Sequence, residues 1–306
     1  MSAEDRALLK QALDWAADGH QVAVATVTKT WGSAPRRRGA HLVIRGDGLF
    51  EGSVSGGCVE GDVITEAMDV LAAGTPKRLS YGVADAKAWE VGLACGGEIE
   101  VLVQPLGPGG FPEDAARQAL TAMDQGRKLT LCTDAAGVTS ADGAPDDFAR
   151  TYSPPLELLL VGAVHISQHL APIAAELGYR VRIVDPRGMF GRDERFSGWD
   201  VDERWPDEAF TDWAPGPSSA VVALTHDPKL DDPALLAALK SDAFYIAALG
   251  STRTHARRVE RLSEAGMSED QIARIHGPAG LPIGAANPAE IAISIAAQMV
   301  AAWRAR

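Results

Sequence analysis

The sequence predicts an α/β fold in which a C-terminal Rossmann-like, doubly wound parallel sheet follows a smaller N-terminal α/β domain. From residue 156 onwards, near-continuous apolar strands alternate strictly with amphipathic helices, which is typical of a parallel sheet covered on both faces. Before residue 135, strands and helices are present without this strict alternation. The segment 135–155 between them is rich in Gly, Ser, Asp and Pro and shows no clear period. We therefore predict an N-terminal domain over 1–150 and a Rossmann-like domain over 151–306.

The N-terminal half begins with an amphipathic helix, which Gly19 ends. Residues 46–48 (Gly-Asp-Gly) are typical of a hairpin turn, and apolar residues spaced four apart indicate a second helix that ends at Gly74. The predicted elements are, in chain order, a helix at 4–18, a strand at 21–28, a hairpin at 41–54, a helix at 59–74, a strand at 96–106, a helix near 113–124 and a strand at 128–133.

The C-terminal half follows the strand–helix alternation of a parallel sheet. Its last helix has a clear start, because Asn287 suits the cap position, Pro288 the first turn and Glu290 the third helical position. The predicted elements are a strand at 156–163, a helix at 166–177, strands at 179–185 and 220–225, a helix at 232–240, a strand at 243–250, helices at 253–265 and 268–275, and a long helix from Pro288.

Composition excludes several classes of function. The chain of 306 residues carries 29 Lys and Arg against 41 Asp and Glu, a formal net charge of −12. This excess of acid argues against a sequence-independent nucleic-acid binder and against an anionic membrane surface as a partner. Hydrophobic residues make up 46%, enough for a sizeable core. No apolar signal core is visible, and no apolar stretch reaches the roughly 20 residues of a spanning helix, so we predict a cytoplasmic protein.

The three cysteines are too few for a disulfide framework, and no two have the spacing of a structural zinc site. Two of them adjoin glycine pairs. Cys58 follows Gly56 and Gly57 at the start of a predicted helix, where the helix dipole and free backbone N–H groups favour a thiolate. Cys95 precedes the second glycine pair, Gly96 and Gly97, directly before a predicted strand. This context predicts one concave site in which sulfur and backbone amides face a ligand. The alternative is ordinary burial, which we expect for Cys132.

Three consecutive arginines, Arg36, Arg37 and Arg38, are a local positive feature in an acidic chain. The planar guanidinium group suits phosphate. Because a predicted hairpin leads from these arginines to Cys58, we expect at least one of them to point into the same site. The alternative is a solvated loop.

The unit 156–185 has the layout of a dinucleotide-binding β-turn-α-β motif. Gly162 is in the first glycine position, but Val164 replaces the glycine that lets the backbone approach a pyrophosphate. Asp185 ends the second strand, where an acidic residue would hold a ribose hydroxyl. His165 and His226 are expected to line the usual ligand crevice, unless they serve only as loop or cap residues. The pattern predicts a Rossmann-like scaffold without tight NAD(P) binding, and nucleotide binding with altered geometry stays open.

With these motifs the sequence resembles the xanthine dehydrogenase accessory factor family (XdhC/CoxI) over most of its length. The combination is specific, although any one motif alone is weak. The shared motifs are Ser33, Pro35 and Arg36; Ser55 to Glu60; Ala94 to Gly97; Val161 to His165; Leu224 to Asp227; Ala248 to Ser251; Pro282 to Ala285; and Asn287 to Ala292.

The resemblance implies a cytoplasmic maturation factor rather than a redox enzyme, and we assign no catalytic residue. It implies binding of molybdenum cofactor (molybdopterin) as cargo, protection of that cofactor during sulfuration, and delivery to a xanthine dehydrogenase-type molybdenum hydroxylase. It also implies a homodimer and a cysteine desulfurase as a partner. Val164 departs from the family's usual glycine, which counts against dinucleotide binding but leaves the cysteine motifs unaffected.

Within this hypothesis Cys58 makes the main cofactor contact, through the terminal sulfur or the molybdenum, and Cys95 comes second. Arg36, with Arg37 or Arg38, would hold the phosphate. Two other classes of function stay open. One is an NAD(P)-dependent oxidoreductase that uses the Rossmann half as its cofactor domain. The other is a sulfurtransferase that carries a persulfide on Cys58.

Overall fold

The computed structural model describes residues 2–32, 34, 36–82, 97–143, 147–191 and 194–306. The chain divides into two compact units, Met1–Pro154 and Pro155–Arg306. Cys95 and Gly96 of the second cysteine motif lie outside the described residues, as do Ser33 and Pro35. Among the helices described, none is both long and apolar enough to cross a bilayer.

The first unit is built on a five-stranded antiparallel sheet with helices on both faces. Its elements are α1 Ser2–Ala17, β1 Val22–Trp31, β2 His41–Arg45, β3 Phe50–Gly52, α2 Glu60–Ala73, β4 Lys77–Tyr81, β5 Glu98–Pro105 and α3 Glu113–Asp124. The strand order is β3-β2-β1-β5-β4. Along β1, Ala23 and Ala25 pack with α2, whereas Val22 and Val24 pack with α1 and α3. Apolar residues are therefore needed on both sides of this strand.

A second, three-stranded antiparallel sheet completes this unit. It contains β6 Leu129–Thr133, β7 Thr139–Ser140 and β8 Phe148–Tyr152 in the order β7-β6-β8. Two of these strands lie in the segment 135–155, for which the sequence predicted no regular structure. The pattern was missed because Arg150 occupies an inward position of β8 between Phe148 and Tyr152 and pairs there with the buried Asp5 at 2.6 Å. A buried ion pair removes the apolar alternation by which a strand is recognised.

The second unit is a six-stranded parallel sheet of the doubly wound type. Its elements are β9 Leu156–Val161, α4 His165–Glu176, β10 Tyr179–Val184, β11 Val201–Asp202, α5 Pro206–Asp212, β12 Ser219–Ala223, α6 Pro228–Leu239, β13 Tyr245–Ala248, α7 Thr252–Glu264, α8 Glu269–Ile272, β14 Ile275–His276 and α9 Pro288–Arg304. The order β11-β10-β9-β12-β13-β14 is that of a Rossmann sheet. The predicted fold class is confirmed.

Both faces of this parallel sheet are covered, which explains its near-continuous apolar strands. Leu158 and Leu160 of β9 pack with α4 and α9, and Leu159 and Val161 pack with α5, α6 and α7. Because chain connections leave β9 and β12 towards opposite faces, a crevice forms at the carboxyl ends of these two strands.

Several elements of this unit were missed, and some predicted helix boundaries were wrong. The two-residue strands β11 and β14 and the short helix α5 were missed, because elements of this length carry almost no periodic signal. The helix predicted at 268–275 is confined to Glu269–Ile272. Helix α6 begins at Pro228, before the predicted start, because Asp227 caps it by accepting a hydrogen bond from the Lys229 N–H group.

Candidate functional site

The loop between β3 and α2 carries the first cysteine motif and is folded around the Glu60 carboxylate. This carboxylate accepts hydrogen bonds from four backbone N–H groups and two hydroxyls. The N–H donors are Val54 (3.1 Å), Ser55 (2.8 Å) and Gly56 (3.2 Å) to Oε1 and Gly57 (2.9 Å) to Oε2; the hydroxyl donors are Ser53 to Oε1 (2.7 Å) and Ser55 to Oε2. One side chain therefore fixes the whole turn that precedes Cys58.

Glu60 is ionised in this environment. Only 7% of the residue is exposed. Burial by itself raises the pKa of Glu60, but the hydrogen bonds from the Ser55 and Ser53 hydroxyls and from the Ser55 N–H group outweigh it and bring the pKa to about 2.

The backbone amides of the loop are not free, so this part of the sequence-based expectation was wrong. The N–H groups of Cys58 and Val59 both donate to Ser55 Oγ at 2.9 Å. Those of Gly56 and Gly57 are bound by Glu60. Among Gly56, Gly57 and Cys58, the Cys58 thiol is the group left to face a ligand, and Cys58 is half-buried.

Both glycines of this motif adopt backbone conformations that side chains disfavour. Gly56 has φ of +81° and Gly57 has φ of +111°. A Cβ atom placed on Gly57 would meet no described atom within 4 Å. The turn therefore requires glycine for its backbone, and no atom of the described residues packs against the outer face of Gly57.

The three predicted arginines have different surroundings. Arg36 lies beside the cysteine loop, since its Nε donates to the Ser53 carbonyl oxygen at 3.1 Å and its guanidinium group pairs with Glu4. Arg37 is exposed. Arg38 donates from Nε to the Thr28 carbonyl oxygen at 2.7 Å and lies 4.8 Å from the centre of the Phe148 ring. Of the three, Arg36 is the one in direct contact with the loop that carries Cys58.

The described residues on either side of the second cysteine motif, Gly82 after β4 and Gly97 before β5, lie at the same end of these two neighbouring strands. Gly97 is buried directly before β5, whose first residue, Glu98, pairs with Trp31 at the end of β1. Gly82 lies against the Glu98 side chain, because a Cβ atom at Gly82 would come within 2.9 Å of it. The loop that carries Arg36 to Arg38 begins directly after Trp31. The arginine loop and the second cysteine motif therefore adjoin the same end of the paired strands β1 and β5.

In the second unit, the turn after β9 requires glycine at its first position. Gly162 has φ of +112°, and a Cβ atom there would lie 2.7 Å from Thr225 Cγ2. Val164 takes the cap position of α4 without a side-chain hydrogen bond. His165 is exposed at the start of α4, with its ring centre 5.2 Å from that of His169.

Asp185 is used inside the protein rather than at its surface. The residue is fully buried, and Oδ2 accepts the Ala163 N–H group at 2.8 Å. Arg187 donates to both carboxylate oxygens, at 2.9 and 2.8 Å. Burial raises the pKa of Asp185, but these hydrogen bonds outweigh it and leave the pKa below its usual value. In this arrangement the carboxylate stabilises the turn through its hydrogen bond from Ala163, and it has no exposed oxygen that could bind a ribose hydroxyl.

His226 lies at the carboxyl end of β12 with φ of +61°, a conformation that residues other than glycine rarely adopt. It lines a cavity of about 380 Å³ together with four arginines of α7. Sequence reasoning did not identify these arginines, which are Arg253, Arg257, Arg258 and Arg261, because their helical spacing does not distinguish a face that lines a cavity from one that faces solvent. In the described part of the chain, no three His, Cys, Asp or Glu residues form a metal-binding group.

Two family models match the chain. A model described as the XdhC and CoxI family matches residues 15–82, and one described as the XdhC Rossmann domain matches residues 158–299. The chain belongs to the XdhC and CoxI family. Within this family, the chain is 28% identical to the molybdenum cofactor insertion chaperone PaoD of Escherichia coli K12, over 97% of this chain and 88% of the relative. It is 25% identical to a probable xanthine dehydrogenase subunit from Bacillus subtilis 168, over 92% and 93% of the two chains.

A solved structure has the same fold. It is described as a xanthine dehydrogenase from Bacillus halodurans, is 25% identical in sequence, and matches with a TM-score of 0.83 over 100% of this chain and 97% of its own.

Proposed function

We propose that this member of the XdhC and CoxI family binds molybdenum cofactor as cargo, protects it during sulfuration and passes it to a xanthine dehydrogenase-type molybdenum hydroxylase. The names of its relatives, a cofactor insertion chaperone and a xanthine dehydrogenase subunit, support a role in molybdenum cofactor maturation. The observation that carries the proposal is the half-buried Cys58 thiol on a turn that Arg36 contacts through the Ser53 carbonyl oxygen.

The side chains of this loop suit a sulfur-rich cargo with a phosphate group. A cysteine sulfur is a soft ligand of the kind that favours sulfur-bound metals. The Glu60 carboxylate and the Ser55 hydroxyl accept hydrogen bonds from the backbone N–H groups of the loop. Cys58 is therefore held in position by the fold before any cargo binds. Arg36 is half-exposed and contacts the same loop. Its Nε and Nη2 are bonded to Ser53 and Glu4, so a phosphate group would bind at Nη1 or take the place of Glu4. One thiol and one guanidinium group hold cargo without enclosing it in many strong ligands, which is compatible with release.

Sulfuration requires a sulfur donor, so we include a cysteine desulfurase as a partner. We also propose that the protein is a cytoplasmic homodimer. Cys95 would be the second sulfur contact; Gly97, the last residue of its motif, is buried directly before β5, whose first residue pairs with Trp31 at the end of β1.

Two observations do not favour the alternative of an NAD(P)-dependent oxidoreductase. The Asp185 carboxylate is fully buried and bound to Ala163 and Arg187. Val164 stands where a dinucleotide pyrophosphate needs close approach to the backbone. Stoichiometric binding of NADH in a tryptophan fluorescence titration would support the alternative and contradict the chaperone proposal.

The proposal is tested by producing the protein in cells that make molybdenum cofactor and measuring bound molybdenum and pterin. Wild type is expected to retain both, Cys58→Ala to retain at least about tenfold less because a principal ligand is lost, and Cys132→Ala to match wild type. Cys132 is the matched control because it is buried in β6. Equal retention by wild type and Cys58→Ala would refute the site, and no retention by wild type would refute the function.

A further inference from the structure

A positively charged cavity lies at the carboxyl edge of the parallel sheet, between the loop after β12 and helix α7. Its volume is about 380 Å³. His226 and Thr254 line it together with Arg253, Arg257, Arg258 and Arg261. Four arginines on one cavity are a marked local exception in a chain whose net charge is −12.

The placement of these arginines opposes the stability of their own helix. Arg253, Arg257 and Arg261 follow one another at intervals of four and so share one face of α7, and Arg258 lies three residues before Arg261. Arg253, Arg257 and Arg258 lie in its first two turns, and the first turn contains no acidic residue. The N-terminal end of a helix carries partial positive charge and favours anions. No carboxylate in the first two turns of α7 balances the repulsion between these groups, because its acidic residues, Glu260 and Glu264, come later in the helix.

Two of the four arginines, Arg253 and Arg257, have no charged partner among the described residues, whereas Arg258 lies near Asp231 and Arg261 pairs with Asp232. Arg261 pairs with Asp232, with Nη2 and Oδ1 at 2.9 Å. Arg253 and Arg257 are exposed, and neither side chain makes a hydrogen bond or ion pair with any described residue. Asp231 is the one carboxylate among the described residues lining the cavity.

Arg258 is the decisive residue because it is buried with unused donors. It is 2% exposed, and its Nη2 donates to the Leu249 carbonyl oxygen at 2.9 Å. Its Nη2 is 3.8 Å from Asp231 Oδ2, too far for a good hydrogen bond. Nε and Nη1 have no hydrogen-bond partner among the described residues. Buried guanidinium donors are normally satisfied, and leaving them unpaired costs folding stability.

We propose that this cavity binds the phosphate group of a phosphorylated small molecule, with Arg258 as the buried donor and Arg253 and Arg257 as the outer donors. Arginine matches phosphate oxygens in a bidentate manner. The cavity falls in the usual size range of small-molecule sites, roughly 300–1,000 Å³, so part of the attached group also lies within it. The left-handed backbone of His226 at the rim agrees with a binding role, since such strain clusters at ligand sites.

This site is independent of the cofactor loop. All of its lining residues belong to the second unit, whereas Cys58 belongs to the first. Loss of phosphate binding would leave the cofactor proposal intact, and the converse also holds.

Isothermal titration calorimetry on the full chain, in phosphate-free buffer of low ionic strength, tests the proposal with inorganic phosphate, AMP and adenosine. Phosphate and AMP are expected to bind saturably and adenosine is not, with affinity falling as salt is added. Arg253→Gln and Arg257→Gln should each weaken AMP binding about tenfold or more, because a charge-assisted hydrogen bond is lost. Arg304→Gln, an exposed arginine at the end of α9, is the matched control and should bind like wild type.

Arg258→Met should abolish binding, and circular dichroism will show whether this buried substitution leaves the fold intact. If it does not fold, the two exposed variants decide the question. Absence of phosphate and AMP binding, equal binding by wild type, Arg253→Gln and Arg257→Gln, or adenosine binding as tightly as AMP would each overturn the proposal.

Discussion

Replacing Glu60 by Gln perturbs the cysteine loop at its centre. The carboxylate accepts six hydrogen bonds, and glutamine keeps one acceptor oxygen while turning an N–H₂ group towards donors on the other side. The pKa of Glu60 is about 2 against an ordinary 4.5. At 1.36 kcal/mol per pKa unit, this difference corresponds to about 3 kcal/mol, which we reduce to about 2 kcal/mol because the loop edge is screened by solvent.

The sign of the effect follows from the lowered pKa. The contribution of the ionised carboxylate is fully present above pH 4.5 and is lost as the pH falls towards 2. Chemical denaturation followed by circular dichroism should therefore show Glu60→Gln to be less stable than wild type by about 2 kcal/mol at pH 7. The difference should shrink as the pH approaches 2.

Asp69→Asn is the matched control, because Asp69 is an exposed carboxylate on the same helix. Its effect should stay within about 0.5 kcal/mol. If Glu60→Gln is no more destabilising than Asp69→Asn at pH 7, the carboxylate does not organise this loop as described.

Four further substitutions in the first unit test its buried polar groups and its turns. Asp5→Asn should lower the free energy of unfolding by about 3 kcal/mol, because it leaves Arg150 buried without its ion-pair partner; a loss below that of a surface mutation would contradict this. Burial, with the nearby Arg150 charge, lowers the pKa of His41 to about 3, so wild-type stability should fall as the pH drops from 6.5 towards 3, by up to about 1.4 kcal/mol per unit from this group. His41→Gln should lack that component in the same titration, and identical pH profiles would refute it. Gly57→Ala and its control Gly48→Ala both place alanine at positive φ and should each cost about 1–2 kcal/mol. Only Gly57→Ala should change the rate at which Cys58 is alkylated, as followed by peptide mass spectrometry.

The sequence was sufficient for the fold because hydrophobic burial dictates it. The continuous apolar strands of the second unit require cover on both faces, and α4 to α7 and α9 provide it. Where a buried residue is polar and depends on a partner, the hydrophobic pattern was not enough to recognise the strand. Strand β8 was missed because its inward Arg150 is compensated by Asp5, a residue 145 positions away in the chain. No local period reveals such a pairing.

The candidate site was predictable only where it depends on local sequence. The sequence singled out the glycine pair before Cys58, and both Gly56 and Gly57 have a positive φ in the turn. The role of Glu60 was not foreseen, since one carboxylate satisfying an entire turn depends on three-dimensional geometry. The arginines of α7 were missed because a polar helix face reads the same whether it borders solvent or a cavity. Only the position of α7 beside the loop after β12 distinguishes the two.

The most direct test of the central claim, that the Cys58 loop binds molybdenum cofactor, is protection of the thiol itself. Cofactor-loaded and cofactor-free protein are treated with iodoacetamide, and alkylation of each cysteine is followed by peptide mass spectrometry. We expect bound cofactor to slow alkylation of Cys58 strongly and to leave the buried Cys132 unchanged. Equal rates at Cys58 with and without bound cofactor would contradict the account.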